Sequence, residues 1–167
     1  MAPESEHPSP PQDERRFVTL TRPECIKLLD ATQLGRLVLI SPAQTPIIRP
    51  VNYRFDTATQ SVVFRTGAGS KFHALVQSSR ALFEIDSFEP ETHTGWSVII
   101  SGATEVITHL AEVRRLSDLG LDVWAPGERP HWIRIRARTV TGRAVVPAGQ
   151  EGLGTEGASR EGEASGP

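Results

Sequence analysis

The sequence has one cysteine, no long hydrophobic run and almost no net charge. Because Cys25 is the only cysteine among 167 residues, no disulfide can form within the chain, which fits a reducing compartment. No apolar stretch reaches the roughly 20 residues that cross a bilayer, and the N-terminus lacks the apolar segment of a signal peptide. A formal net charge of −2 gives no overall basic surface for nucleic acid. These absences predict a cytoplasmic protein with neither a membrane nor a nucleic-acid partner.

Groupings of residues typical of metal sites and catalytic sites are missing as well. The 5 histidines are scattered without the spacing of a metal site, and no second cysteine could join them as a ligand. Glu84 and Asp86 lie two residues apart and so share one face of a predicted strand, but nothing else supports a paired-carboxylate site. We therefore predict no metal site, and the sequence assigns no catalytic residue.

Apolar residues make up only 38% of the chain, and the two ends account for much of that low value. Residues 1–16 are rich in proline, glutamate and serine, and residues 148–167 are mostly glycine, glutamate, alanine and serine. Neither segment carries enough apolar surface to offset the entropy that is lost on ordering. We predict two disordered tails around one folded domain, residues 17–147.

Between these tails, predicted strands outnumber predicted helices. Thr21 and Glu24 have the spacing of a capping box, which predicts a first helix. Two more helices are predicted over residues 71–77 and 110–119. Gly102 marks a bend or bulge within a long strand. The six predicted strands cover residues 36–40, 47–55, 61–66, 81–86, 95–108 and the stretch from 132 onward.

The last strand and the order of the elements indicate the fold class. Ile133 and Ile135 alternate with Arg134 and Arg136, so we expect the isoleucines to face the core and the arginines to face solvent. The strands follow one another as hairpins more than as strand–helix units. This order predicts a mostly β fold with peripheral helices, built as a mostly antiparallel barrel.

The segment FRTGAGSK, residues 64–71, carries the strongest chemical signal. A strand ends, two glycines follow and a helix begins, so main-chain N–H groups and the positive end of the helix dipole are available to an anion. Arg65 and Lys71 add cations, and Thr66 and Ser70 add hydroxyl donors. The spacing departs from both the P-loop and the dinucleotide fingerprint. The pattern predicts a phosphate monoester site, the alternative being a tight connection with exposed charges.

Two further segments are candidates for contact with a flat ligand. Trp96 could pack on such a ligand with Ser97 as a hydrogen-bond donor, or it could be a core tryptophan that closes the barrel end. Within the segment PVNY, Asn52 could hydrogen-bond the edge of a heterocycle, or it could point to solvent from a strand. The residues alone leave both alternatives open in each case.

Six short motifs, taken in their order, resemble the pyridoxamine 5′-phosphate oxidase-like family of FMN-binding split barrels. They are LGRL at 34–37, PVNY at 50–53, FRTGAGSK at 64–71, FEID at 83–86, TGWSV at 94–98 and TGR at 141–143. The resemblance implies a six-stranded antiparallel split barrel that forms a homodimer. It also implies two flavin mononucleotide (FMN) sites at the subunit interface.

The same resemblance assigns residues to the cofactor site. It implies that the FMN phosphate is held by Arg65, Thr66, Ser70 and Lys71. It places along or near the isoalloxazine ring a second set, which comprises Pro50, Val51, Asn52, Trp96 and Ser97.

The resemblance does not fix the reaction. Pyridoxamine phosphate oxidases bind the substrate phosphate through a C-terminal segment, and a glycine- and glutamate-rich tail replaces it here, so we do not expect vitamin B6 oxidation. We expect an FMN-dependent oxidoreductase acting on a small molecule, in which the flavin supplies the redox chemistry. The alternatives are a non-catalytic flavin-binding sensor or storage module and a deazaflavin-dependent reductase.

Overall fold

The described residues form one antiparallel sheet, curled into a half-barrel, with two helices. A computed structural model describes residues 15–40, 44–69, 80–150 and 153. The sheet order is β3-β2-β6-β7-β8-β5-β4, and β1 pairs with β8. This architecture confirms the predicted fold class. In chain order the elements are β1 (Arg15–Leu20), α1 (Arg22–Ala31), β2 (Leu34–Ile40), β3 (Pro46–Asn52), β4 (Arg54–Asp56), β5 (Ser61–Thr66), β6 (Ala81–Glu89), β7 (Thr94–Ile107), α2 (Leu110–Ser117) and β8 (His131–Pro147).

The described part of the sheet has eight strands, where the sequence predicted six. β1 begins at Arg15, inside the segment expected to be disordered, because its residues pair with the last part of β8. The strand predicted over residues 47–55 is divided into β3 and β4 at Tyr53. The N–H of Tyr53 donates to the Gln33 carbonyl oxygen at 2.9 Å, which continues the pairing with β2 by one residue, and the pairing with β5 begins at Arg54. The helix predicted over residues 71–77 lies outside the described residues.

The first helix begins as the sequence predicted and packs on the sheet. Thr21 and Glu24 form the capping box, in which the Glu24 carboxylate accepts the Thr21 N–H at 2.7 Å. Cys25 is buried against β8, and a Cβ atom on Gly142 would lie 2.6 Å from its Sγ, so glycine permits this close approach. Neither of the two described helices has the length and apolar character to cross a membrane.

One extra residue in β8 lets both halves of that strand face the same core. The pairing with β7 shifts between Ser101 and Gly102, leaving Arg138 as the extra residue, which confirms the predicted bulge. A Cβ atom on Gly102 would lie 1.7 Å from the Arg136 carbonyl oxygen, so the bulge requires glycine there. The β8 residues that belong to the main core are therefore odd-numbered before the bulge and even-numbered after it, as in Ile133, Ile135, Ala144 and Val146.

The outer face of the sheet has a covered part and a bare part. In the covered part, α2 lies over β5, the end of β7 and the start of β8, where a small second core is formed by Val63, Ile107, Leu116 and Trp132. Arg134 faces outward here but is 4% exposed, which corrects the prediction that it faces solvent: α2 covers it, and Glu112 contacts its guanidinium. The bare part comprises the outer side of β1, β2, β3, β6, the start of β7 and the end of β8.

Candidate functional site

The ends of β3 and β5 bring two of the predicted site residues together on the outer face. Arg54 pairs with Val63 in the last pair of the β4–β5 register, and Asn52 and Arg65 each lie two residues beyond that pair, on the same face of their strands. β3 and β5 are in contact with each other. The heterocycle candidate and the phosphate candidate therefore lie close together at the ends of these two strands.

Arg65 is held in place while part of its guanidinium stays free among the described residues. Its Nε–H donates to the Arg129 carbonyl oxygen at 2.7 Å, and its guanidinium carbon lies 5.6 Å from the centroid of the Trp132 ring. The described residues provide no hydrogen-bond partner for its two terminal nitrogens. Arg65 can therefore present a fixed cationic edge to an anion.

The remaining phosphate candidates are only partly described. Thr66 is buried, and its hydroxyl donates to the carbonyl oxygen of Gly67 at 3.2 Å. Gly69 has a φ of 146°, a conformation that glycine adopts readily and other residues rarely do. Ser70 and Lys71 lie outside the described residues, so their contact with a phosphate stays a prediction.

Asn52 has one satisfied end and one unsatisfied end. Its Oδ1 accepts the main-chain N–H of Trp124 at 3.1 Å. Its Nδ2 is buried and has no hydrogen-bond partner among the described residues. The neighbouring candidates on β3 alternate, since Pro50 is exposed and Val51 is buried in the core. Asn52 thus offers a buried donor for which the described residues supply no acceptor.

The loop between α2 and β8, residues 118–130, covers these candidates, and sequence reasoning gave it no role. We call it the α2–β8 loop. It contacts Asn52 through Trp124 and Arg65 through Arg129, and a Cβ atom on Gly67 would lie 3.0 Å from the carbonyl oxygen of residue 128. Its contacts join positions far apart in sequence. The only local signal was an aromatic residue within the proline- and glycine-containing stretch WAPG.

Trp96 and Ser97 lie in a different region of the same chain. Trp96 pairs with Ala144 on β8, whereas Arg65 pairs with Trp132, twelve residues earlier on that strand. At about 3.3 Å per residue, this separation is a path of roughly 40 Å along β8. Trp96 packs partly buried against the core, the arrangement that the sequence left as an alternative. Within a single chain, Trp96 and Ser97 therefore do not lie beside Asn52 and Arg65.

The surroundings of Ser97 are charged, open and partly aromatic. Ser97 pairs with Asp86 on one side and Arg143 on the other, so all three face outward. An open pocket here is bordered by Phe17 and Phe88, both exposed. No group of three or more histidine, cysteine or acidic side chains that could bind a metal occurs in the described part of the chain.

The two carboxylates considered as an acid/base pair are joined by an arginine. Arg36 contacts Asp86 directly and lies 4.0 Å from the Glu84 carboxylate. Burial and the nearby charge of Asp86 raise the pKa of Glu84, while Arg36 acts in the opposite direction. An ion-paired cluster on the sheet surface is what the structure provides here.

Comparison with known proteins identifies the family. The family model described as pyridoxamine 5′-phosphate oxidase matches residues 21–144, which is most of the chain. The chain belongs to this family. The match includes the segments that hold Asn52, Arg65, Trp96 and Ser97.

Among the proteins similar to this family member are three from Mycobacterium and Corynebacterium species. The uncharacterized protein Rv0080 of Mycobacterium tuberculosis is 32% identical over 151 residues, covering 87% of this chain and 96% of that protein. A solved FAD-binding protein from Mycobacterium smegmatis is 31% identical with a TM-score of 0.63, covering 75% of this chain and 98% of that one. A solved, proposed pyridoxamine 5′-phosphate oxidase from Corynebacterium glutamicum is 27% identical with a TM-score of 0.67, covering 77% and 92%.

This member of the pyridoxamine 5′-phosphate oxidase family has groups that fit a flavin. A flavin carries acceptors on its ring and an anionic phosphate on its side chain. The buried Nδ2 of Asn52 fits a ring acceptor, since an unpaired buried donor is costly without one. Arg65, next to it, fits the anionic end. The donor set is therefore compatible with the cofactor that the sequence resemblance implies.

Proposed function

We propose that this protein binds FMN and works as a flavin-dependent oxidoreductase on a small-molecule substrate. Two observations at the neighbouring ends of β3 and β5 carry the proposal: a buried, unsatisfied Asn52 Nδ2, and an Arg65 guanidinium held through its Nε. The flavin would supply the redox chemistry, as cofactors do in such enzymes. The chain would bind the flavin, orient it and exclude water from it.

The residues divide between the two ends of the cofactor. Arg65 and Thr66, together with Ser70 and Lys71, would hold the phosphate. Pro50, Val51 and Asn52 would lie along the ring, with Asn52 donating a hydrogen bond to it. Charge-assisted hydrogen bonds to phosphate are the stronger contacts, so the phosphate end would contribute most of the affinity.

We further propose that the working form is a homodimer with two flavin sites. The bare part of the outer face exposes a set of large apolar side chains: Phe17, Ile48, Leu82, Phe88 and Ile99. Exposed apolar side chains on a sheet face that the described chain leaves bare are typical of an interaction site. A second copy seated here would cover them and bring its own Trp96 and Ser97 to the Asn52–Arg65 site. A twofold axis would repeat that contact and produce both sites.

FAD is the second candidate cofactor, because a relative that shares 31% identity with this chain is an FAD-binding protein. The two cofactors share the ring and its first phosphate, so both would use Asn52 and Arg65. FAD adds an adenylate that needs further contacts.

The test begins with the purified protein. We expect a yellow protein whose heat-released cofactor has the mass of FMN, and whose flavin is bleached anaerobically by a nicotinamide donor. Release of FAD would replace FMN with the second candidate. A bound flavin that no donor reduces would favour a non-catalytic sensor or storage module. Binding of a deazaflavin instead would favour a deazaflavin-dependent reductase. A colourless protein that does not bind added FMN or FAD would refute the proposal.

A further inference from the structure

We infer that the α2–β8 loop is a positioning element of the cofactor site. It fixes the side-chain amide of Asn52 so that an N–H group, and not the carbonyl oxygen, faces the bound molecule. The site would therefore recognise a hydrogen-bond acceptor, a ring carbonyl or a ring nitrogen, at that point. The inference rests on the proposed function, in that the bound molecule is taken to be a flavin.

The orientation of the amide follows from its partner. A main-chain N–H can only donate, so the group of Asn52 that faces the Trp124 N–H at 3.1 Å must be the carbonyl oxygen. Turning the amide over would place two donors against each other. Nδ2 is then the free end, and it is buried without a partner among the described residues. A buried donor in this state favours a ligand acceptor over a ligand donor.

The loop is attached to the barrel on both sides of that contact. Before it, Arg54 donates from Nε and Nη2 to the Gly120 carbonyl oxygen at 3.2 and 3.0 Å. After it, the Arg129 carbonyl oxygen accepts from Arg65. At these three points the loop contributes main-chain atoms and the barrel contributes side chains. The position of the Trp124 N–H is therefore set by barrel side chains on either side.

Substitution of Arg54 distinguishes a loop that positions Asn52 from a loop that is only a structural cover. Arg54 is two residues from Asn52, and the hydrogen bonds of its side chain within the described residues go to the loop. If the loop orients Asn52, losing the Arg54 contacts should weaken cofactor binding through Asn52. If the loop is only a structural cover, losing them should leave the affinity for the cofactor unchanged.

The experiment is a double-mutant cycle on full-length protein freed of cofactor, with FMN titrated as the ligand. Asn52→Asp keeps an oxygen for the Trp124 N–H but replaces the free donor with an acceptor. We expect about tenfold weaker FMN binding, or more, and shifted visible absorption of the bound flavin. Arg54→Met keeps the side-chain length and removes both hydrogen bonds. We expect it to weaken binding by itself and to have a much smaller effect in the Asn52→Asp background.

Arg22→Met is the matched control, because Arg22 donates to Gln60, away from the loop, and the variant should bind FMN like the wild type. Thermal unfolding checks that each variant folds, and Arg54→Gln replaces Arg54→Met if it does not. Additive effects in the cycle, or wild-type affinity in either single variant, would overturn the inference and leave the proposed function intact. A wild-type protein that binds no flavin would overturn the proposed function itself.

Discussion

The covered and bare parts of the outer face use the same sheet in opposite ways. In the covered part, charged groups are buried: Asp56 is 2% exposed and Arg134 is 4% exposed. In the bare part, apolar groups are exposed, among them Phe17 at 80% and Ile99 at 43%. Both sets of side chains stand on the outer side of the strands. What differs is whether another element of the same chain lies on top of them.

The contrast indicates which of the two parts has its side-chain contacts supplied by a single chain. The covered charges form a network in which Arg115 binds Asp56 through two nitrogens, at 3.1 and 2.6 Å, and also binds Glu112 at 2.9 Å. Burial would raise the pKa of Asp56, but hydrogen bonds from Arg115 and Thr59 lower it below its usual range. In the bare part the ion pair of Arg36 with Asp86 is solvent-exposed, and the large apolar side chains are left exposed by the described residues. We therefore expect single-chain stability to depend on the covered part and assembly to depend on the bare part.

The largest expected effect comes from breaking the covered network. Asp56→Ala leaves Arg134 buried without that carboxylate and removes the bidentate partner of Arg115. Removing one partner of a buried ion pair typically costs about 3–5 kcal/mol, so we expect a loss of that size in the free energy of unfolding. Urea denaturation measures it. Asp30→Ala, at an exposed position on α1, is the control and should change stability by less than about 0.5 kcal/mol.

The second-largest expected effect is a loss of affinity for the proposed cofactor, whose candidate site lies next to the covered part. Arg65→Ala and Lys71→Ala should each cost about 1.5–3 kcal/mol of FMN binding free energy, because each would remove one of the proposed charge-assisted contacts to phosphate. The double variant should lose more than either single variant. Calorimetric titration gives the affinities, and Arg22→Ala serves as the control. An unchanged affinity in the double variant would refute the phosphate site.

The third effect tests the bare part. Ile99→Asp places a charge at the centre of the proposed subunit interface, opposite Glu84 and Thr141. Lost apolar burial should cost about 1 kcal/mol per copy, and desolvation of the new carboxylate adds to it. Sedimentation should then show a shift from dimer toward monomer. Leu110→Asp is the matched control, since Leu110 is 62% exposed but lies on α2, and a dimer in both variants would exclude this interface.

Local sequence patterns were sufficient for parts of this fold. The Thr21–Glu24 capping box depends on residues close together in the chain, and a single glycine within a long predicted strand indicated the bulge at Gly102. The alternation of isoleucine and arginine along β8 correctly predicted that Arg134 lies on the outer face. It could not predict that Arg134 is buried, because α2 lies over it only in the folded chain.

The candidate site shows the same limit. The segment from Arg65 to Gly69 was identifiable because a cation and glycines at the end of a strand are a local pattern. The contact of Asn52 with Trp124 joins residues 72 positions apart, and no periodicity predicts it. Asp56 directly follows the strand predicted over residues 47–55, yet it is buried because Arg115 and Arg134 converge on it from two other elements.

The smallest expected effect is the pH dependence of the covered network. Hydrogen bonds from Arg115 and Arg134 lower the pKa of Glu112 to about 2, from a usual value of 4.5. Because the folded-state pKa is the lower one, the stabilisation is complete above pH 4.5 and is lost as the pH falls toward 2. Glu112 is partly exposed, so solvent screening keeps this contribution small.

Urea denaturation at a series of pH values between 6 and about 2.5 checks this dependence. The free energy of unfolding should fall more steeply with acid in the wild type than in Glu112→Gln, which cannot ionise at that position. Glu91→Gln is the control, because Glu91 is exposed and makes no ion pair among the described residues. If Glu112→Gln and the wild type lose stability in parallel, the network does not hold Glu112 ionised. The covered part would then owe its stability to the apolar contacts of Leu116 and Trp132 instead.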